Sequence, residues 1–142
     1  MEKKRLFKIL ARADAAIIAR LAKELKLTHS FTMVKEPNKT LAMVKMREPV
    51  KESLFYIGEV LVCEAVIELD GTRGMAVTMG DDFEKVLNMA IIDAAYNRGV
   101  FEREPELLRL EAEQRLTEQK RNAMHMKTMV NSNSMDSEVP QQ

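Results

Sequence analysis

The chain has 142 residues, enough for one domain with a real core and too few for two comfortable ones. Its 22 basic and 22 acidic residues balance to zero net charge, which argues against a dedicated nucleic-acid binder, whose affinity rests on neutralising phosphates. One cysteine, Cys63, excludes an internal disulfide and any multi-cysteine metal or cluster site, while eleven methionines point to an adaptable core or partner surface.

The basic start, MEKKRLFKILARAD, has an apolar run too short and too interrupted for a signal or membrane segment, so a cytoplasmic protein is expected. Residues 2–27 read as helix, because Leu6, Ile9, Leu10, Ile17, Ile18, Leu21, Ala22 and Leu25 recur at three- and four-residue spacing. Asp14 can cap a second helix there, which makes the segment a helix pair. Two short runs then flank Pro37-Asn38-Lys39, which is turn chemistry, and predict a hairpin of strands near 30–35 and 40–47. Pro49 is expected to end the second of them.

From Leu61 to Leu69 the odd positions are all apolar and the even ones include Glu64 and Glu68, the alternation of a strand with one buried face. Asp70-Gly71 supplies a two-residue hairpin loop that needs positive φ at both positions, and TRGMAVTM returns as the next strand. Gly58 and Gly74 mark a bulge or a close backbone approach. A helix follows Gly80, with Asp81 as the expected N-cap and Glu84 completing an acidic capping box. Phe83, Val86, Leu87, Ala90, Ile91 and Ala94 form its buried stripe, and Gly99 stops it.

Beyond Gly99 the composition becomes strongly charged and helical to about residue 126, with Pro105 in the first turn and thinning leucines. The polar tail, residues 127–142, is expected to be irregular unless a partner orders it. The fold class is therefore α+β. It comprises an N-terminal helix pair, an antiparallel four-stranded meander, one packed helix, a long charged helix and the tail, with residues 1–126 as a single domain.

The segment 58–82, GEVLVCEAVIELDGTRGMAVTMGDD, raises the question of chemistry, since it holds four of the five glycines and ends in paired acids. Asp81, Asp82, Glu84 and Asp93 could hold a divalent cation between a nucleotide's phosphates. First-turn acids also complement a helix dipole, and that reading accounts for them with less. No Lys-Ser or Lys-Thr follows Gly80 and no G-x-G-x-x-G spacing is present, so the glycines do not make a phosphate loop. Cys63, on the apolar face of a strand, reads as a small buried thiol. His29 and His125 have no Cys or His at ligand spacing beside them. Asp93 lies in the middle of an apolar helix, where a carboxylate must find a partner or face solvent.

The residues 55–95 resemble the PhnG subunit family of the bacterial carbon–phosphorus lyase system. The resemblance is carried by Gly58-Glu59-Val60-Leu61-Val62, Glu64, Asp70-Gly71, Gly80-Asp81-Asp82 and Asp93-Ala94-Ala95, by ILARAD at 9–14, and by the tail VNSNSMD at 130–136. Cys63 replaces the family's usual Thr, Ser132 the aromatic of the tail run, and Ser134 its Thr. The resemblance implies an accessory role with no catalytic residue and no metal or cofactor bound by this chain alone. The PhnG-type subunit works with PhnI-, PhnH- and PhnL-like subunits to displace adenine from MgATP, the substrate of the complex, with an alkylphosphonate. The product is α-D-ribose 1-methylphosphonate 5-triphosphate, which a PhnJ-like subunit then cleaves by radical chemistry. The resemblance also points to a partner-binding tail, with Met129, Val130 and Met135 as apolar anchors, Asn131 and Asn133 between them, and Asp136 as a polar stop. No nucleic-acid or membrane partner is expected, and two other classes stay open: a stand-alone metal-dependent phosphate-transfer enzyme using Asp81, Asp82 and Asp93, and a stand-alone homodimeric binding module using its sheet and methionines.

Overall fold

The computed structural model describes residues 1–47 and 54–136, with the side chains of 1–43 and 58–127. It divides into two compact units, Met1–Arg103 and the chain from Glu104 on. In the first, α1 (Lys3–Arg12), α2 (Ala15–Thr28), β1 (Thr32–Arg47), β2 (Leu54–Leu69), β3 (Thr72–Met79) and α3 (Phe83–Arg98) follow one another; α4 (Glu104–Asp136) makes the second.

Asp14 separates the first two helices as expected, its side chain accepting from the Ala16 N–H at 3.3 Å. Leu6, Ile9 and Leu10 of α1 and Ile18, Leu21, Ala22 and Leu25 of α2 are buried. The sheet differs from the expectation. It has three antiparallel strands in the order β1-β2-β3, because the two predicted strands around Pro37-Asn38-Lys39 are one continuous strand. Proline is tolerated there for two reasons: β1 is an edge strand, and its pairing with β2 slips between Lys35 and Asn38, which takes up the surplus residue as a bulge. The Asn38 side chain folds back to the Glu36 carbonyl at 2.8 Å instead of building a turn. The predicted stop at Pro49 lies outside the described residues.

Asp70-Gly71 is the hairpin loop, with φ of 48° and 83°. Cys63, Ala65, Ile67 and Leu69 are buried against the helices as the alternation requires. Leu61 breaks the pattern at 46% exposure, because β3 pairs only with Val62–Leu69. The earlier half of β2 therefore has β1 as its sole strand partner among the described residues, and the two form a ribbon on which Leu41 lies opposite Leu61.

Helix α3 is the centre of the first unit. Of the expected stripe Val86, Ala90, Ile91 and Ala94 are buried, while Leu87 is half-buried and Phe83, at the start of the helix, is 38% exposed; Met89, Ile92 and Ala95 are buried as well, so the apolar surface is wider than a single stripe. The helix lies on β2 and β3 and also packs on α2, and a helix covered on several sides is apolar around most of its circumference. Three bonds align α1 along it: Tyr96 Oη donates to the Met1 carbonyl (3.1 Å), Lys85 Nζ to the Ala11 carbonyl (2.8 Å), and Lys3 Nζ to the Asp93 carboxylate. Gly99, in the left-handed conformation, ends α3 as expected, with the Val100 N–H returning to the Ala95 carbonyl at 3.0 Å.

The approach of α3 to β3 depends on Gly74. A Cβ built there would lie 2.2 Å from the Ala94 nitrogen and 2.4 Å from the Ala90 carbonyl oxygen, both backbone atoms that no rotamer change can move. In the second unit, α4 continues to Asp136, so residues 127–136 are helical and not irregular as expected. No Gly or Pro interrupts the run between Pro105 and Pro140, and the Met, Lys, Asn and Ser residues there can all continue a helix. Every residue from Arg115 to Lys127 is exposed. Glu111–Arg115 at 3.6 Å supports the helix at i,i+4 spacing.

Gly74→Ala is expected to push α3 off the sheet and to cost about 3 kcal/mol or more, the upper end of overpacking penalties. Urea unfolding followed by circular dichroism measures it, with Gly71→Ala, where a Cβ meets open space, as a control for backbone strain alone.

Candidate functional site

The acids that invite a metal-site reading are separated by the fold. Asp82 and Asp93 are both associated with α3, but eleven residues apart, which is about 16 Å of helix rise. Each is engaged locally. The N-cap is Asp82, whose Oδ1 accepts from the Lys85 N–H at 3.0 Å. This corrects the expected cap at Asp81 and the box with Glu84. The chain turns into helix one residue later than the motif suggested, so the third helical position falls on Lys85, and Glu84 merely sits in the first turn, where its charge suits the dipole. Asp81 stays 74% exposed and faces Lys39 at 4.0 Å, a distance at which an exposed pair contributes little.

Asp93 is the buried member, with its side chain 6% exposed. Oδ1 receives Lys3 Nζ from α1, and Oδ2 receives the Met75 backbone N–H of β3 at 2.9 Å and the Asn97 side-chain amide at 3.4 Å. Asn97 also donates to the Arg73 carbonyl at 2.8 Å. Lys3 lies over the rings of Phe7 and Tyr96, 5.9 and 5.5 Å from their centroids, so its charge is held from two sides. Sequence reasoning left Asp93 ambiguous, since its partners come from 90 and 18 residues away.

Cys63 is fully buried and its thiol contacts the Asp82 carbonyl at 3.7 Å. Burial pushes its pKa up, and the charges of Asp82 and Asp81 add to that, so the thiol stays protonated and unreactive at neutral pH. His29 ends α2 and pairs its Nδ1 with Thr28 Oγ1 at 2.8 Å, while His125 lies on α4. Among the described residues no three His, Cys, Asp or Glu side chains gather as a metal site would require.

One cleft of about 580 Å³ opens where the end of α2 meets the segment after α3, lined by Leu25, His29, Val100 and Phe101 among others. Its charges neutralise each other: Glu24 accepts from Arg103 Nε at 3.0 Å and also faces Arg20 at 3.5 Å. Of the tail residues read as partner-binding, Met129, Val130, Asn131, Asn133, Met135 and Asp136 all lie on the last turns of α4.

The three aspartates should separate in one experiment. In urea unfolding, Asp82→Ala is expected to cost about 0.5–2 kcal/mol as a lost cap. Asp93→Ala should cost about 1–3 kcal/mol by orphaning the Met75 N–H and the Lys3 charge. Asp81→Ala should stay within about 0.5 kcal/mol.

No curated protein matches the chain. The family described as "Phosphonate metabolism protein PhnG" matches residues 1–136, nearly the whole sequence. The match takes in the helix that carries Asp93, the strand it anchors and α4 to its last described residue. The chain belongs to the PhnG family of phosphonate metabolism proteins.

Proposed function

We propose that this chain is an accessory subunit of the α-D-ribose 1-methylphosphonate 5-triphosphate synthase, supporting displacement of adenine from MgATP by an alkylphosphonate. The observation that carries the reading is the family match across residues 1–136. Its expected partners are a PhnI-like catalytic subunit and PhnH-, PhnJ- and PhnL-like subunits.

The surface of each unit supports a role in assembly. On the ribbon of the first unit, Leu41, Met43 and Leu61 are 61%, 60% and 46% exposed. A two-stranded ribbon is marginal by itself and gains stability when covered. In the second unit, a helix exposed on every face from Arg115 to Lys127 lacks the packing that gives most helices their stability in proteins. Its continuation carries Met129 and then Val130, Asn131, Asn133, Met135 and Asp136, where the family resemblance returns, and a PhnI-like partner is the proposed surface for it. In this reading α4 presents a helix to a groove, not a free tail. The acids that a metal-dependent phosphate-transfer enzyme would need are committed elsewhere, Asp82 to its cap and Asp93 to Lys3 and Met75.

Co-expression with a PhnI-like chain tests this directly. The full chain is expected to co-purify with that partner and to raise adenine release from MgATP in the presence of an alkylphosphonate, while releasing none alone. A chain ending at Lys127 should keep its melting temperature to within a few degrees, about the effect of 1 kcal/mol or less, and lose most of the co-purification. Adenine release by the isolated chain above a no-protein control would overturn the accessory role.

A further inference from the structure

We propose that α4 is a dimerisation helix: α4 of a second copy of this chain lies antiparallel along it, about a two-fold axis beside the Thr117–Glu118 peptide bond, setting Glu113 of each copy opposite Lys120 of the other. This goes beyond the synthase assignment and does not depend on it.

The first turns of α4 have one covered side, where Leu107 is buried and Leu110 and Gln114 are half-buried. On the opposite side Ala112, Leu116, Gln119, Ala123 and Met126 follow one another at alternating spacings of four and three residues. That repeat keeps one seam turned toward a second helix along its length. All five side chains are exposed, Leu116 by 54% and Met126 by 61%. The seam is thin in apolar atoms, so it leaves the choice of partner and register to the charges beside it.

Along one flank of the seam stand Glu106, Glu113, Lys120 and Lys127, one at every seventh residue. In an antiparallel pair this flank meets the same flank of the other copy. Two acids followed by two bases are self-complementary when the direction is reversed. Glu113 then faces Lys120 and Glu106 faces Lys127, each twice by symmetry. The helix dipole accounts for Glu106, which lies in the first turn, but not for the lysines, since the last turn of α4 carries no basic residue. The seam agrees with the same register: Leu116 packs on Gln119, Ala112 on Ala123, and the stem of Arg109 covers Met126 at each end. The other flank brings Arg115 opposite Asn122, with no like charges together.

The alternatives collide. A shift of one heptad sets Glu113 against Glu113 in one direction and Lys120 against Lys120 in the other. A parallel pair in register sets Arg115 of each copy against Lys120 of the other. The flank therefore selects a second copy of this chain, antiparallel and in one register. The pairing charges end at Lys127, before the last turns that the synthase reading assigns to a PhnI-like chain.

The test uses the full chain alone. Sedimentation velocity over a wide concentration range is expected to show a monomer–dimer equilibrium. Glu113→Lys and Lys120→Glu should each loosen it on the order of tenfold, since each turns two attractions into two repulsions. Mixed in equal amounts, the two variants should pair with one another to within about threefold of the unaltered chain, because every lysine at these positions again faces a glutamate. Both positions are exposed, so unchanged circular dichroism verifies that the variants fold. A chain that is monomeric at every concentration overturns the proposal. So does a dimer indifferent to Glu113→Lys, or a pair of variants that associate no better mixed than apart.

Discussion

A carboxylate held away from water must be met by donors on every side, and Asp93 is met from three elements at once: Lys3 of α1, the Met75 N–H of β3 and Asn97 on its own helix. The first unit is arranged around that requirement. Oδ2 can reach a backbone N–H of the strand only because α3 lies unusually close to it, and that closeness exists because Gly74, the neighbour of Met75, presents no side chain to Ala90 and Ala94. The same carboxylate draws the N-terminal helix down through Lys3, with Tyr96 and Lys85 holding its two ends. Glycine, aspartate and lysine act as one unit here, although 90 residues separate Lys3 from Asp93.

This arrangement also shapes the surface. The groups of α3 that satisfy the helix–strand contact occupy the outer edge of β3 at Arg73 and Met75 and leave the edge beyond them open. At the other side of the sheet, the bulged and proline-bearing β1 extends with β2 past the third strand, so the ribbon carries Leu41, Met43 and Leu61 outward. In the second unit, α4 has a polar and charged surface with Leu116, Met124 and Met126 exposed. These apolar side chains lie at the surface of both units of a chain that belongs to a family of phosphonate metabolism proteins.

The glycine- and acid-rich stretch from Gly58 to Asp82 looks in sequence like a phosphate or metal site, and several of its residues turn out to have mechanical tasks. Gly71 gives the hairpin its second positive φ, Gly74 admits the helix, Asp82 caps α3 and Asp81 stays at the surface. Buried Cys63 is kept neutral by its surroundings. Short polar residues serve turns and caps for the same reason they serve ligands, namely that they accept hydrogen bonds at close range.

Much of this was legible in the residues themselves, wherever the cause is local. The helix pair with its Asp14 cap, the Asp70-Gly71 hairpin, the buried odd positions of β2 and the Gly99 stop all follow from φ preference, capping and periodicity within a few residues. The family kinship was equally visible in the pattern from Gly58 to Ala95. What the sequence could not decide depended on neighbours brought from far away. Pro37-Asn38-Lys39 has turn chemistry, yet β2 runs alongside it for the full length of β1 and makes one strand of two, because an edge position and a bulge remove the cost of proline. The cap is Asp82 and not Asp81, because the helix begins at Phe83 and the amide within reach is that of Lys85. The fate of Asp93 was settled only by tertiary structure, since the energy of a buried charge is set by the donors that surround it and not by the residues beside it in the chain.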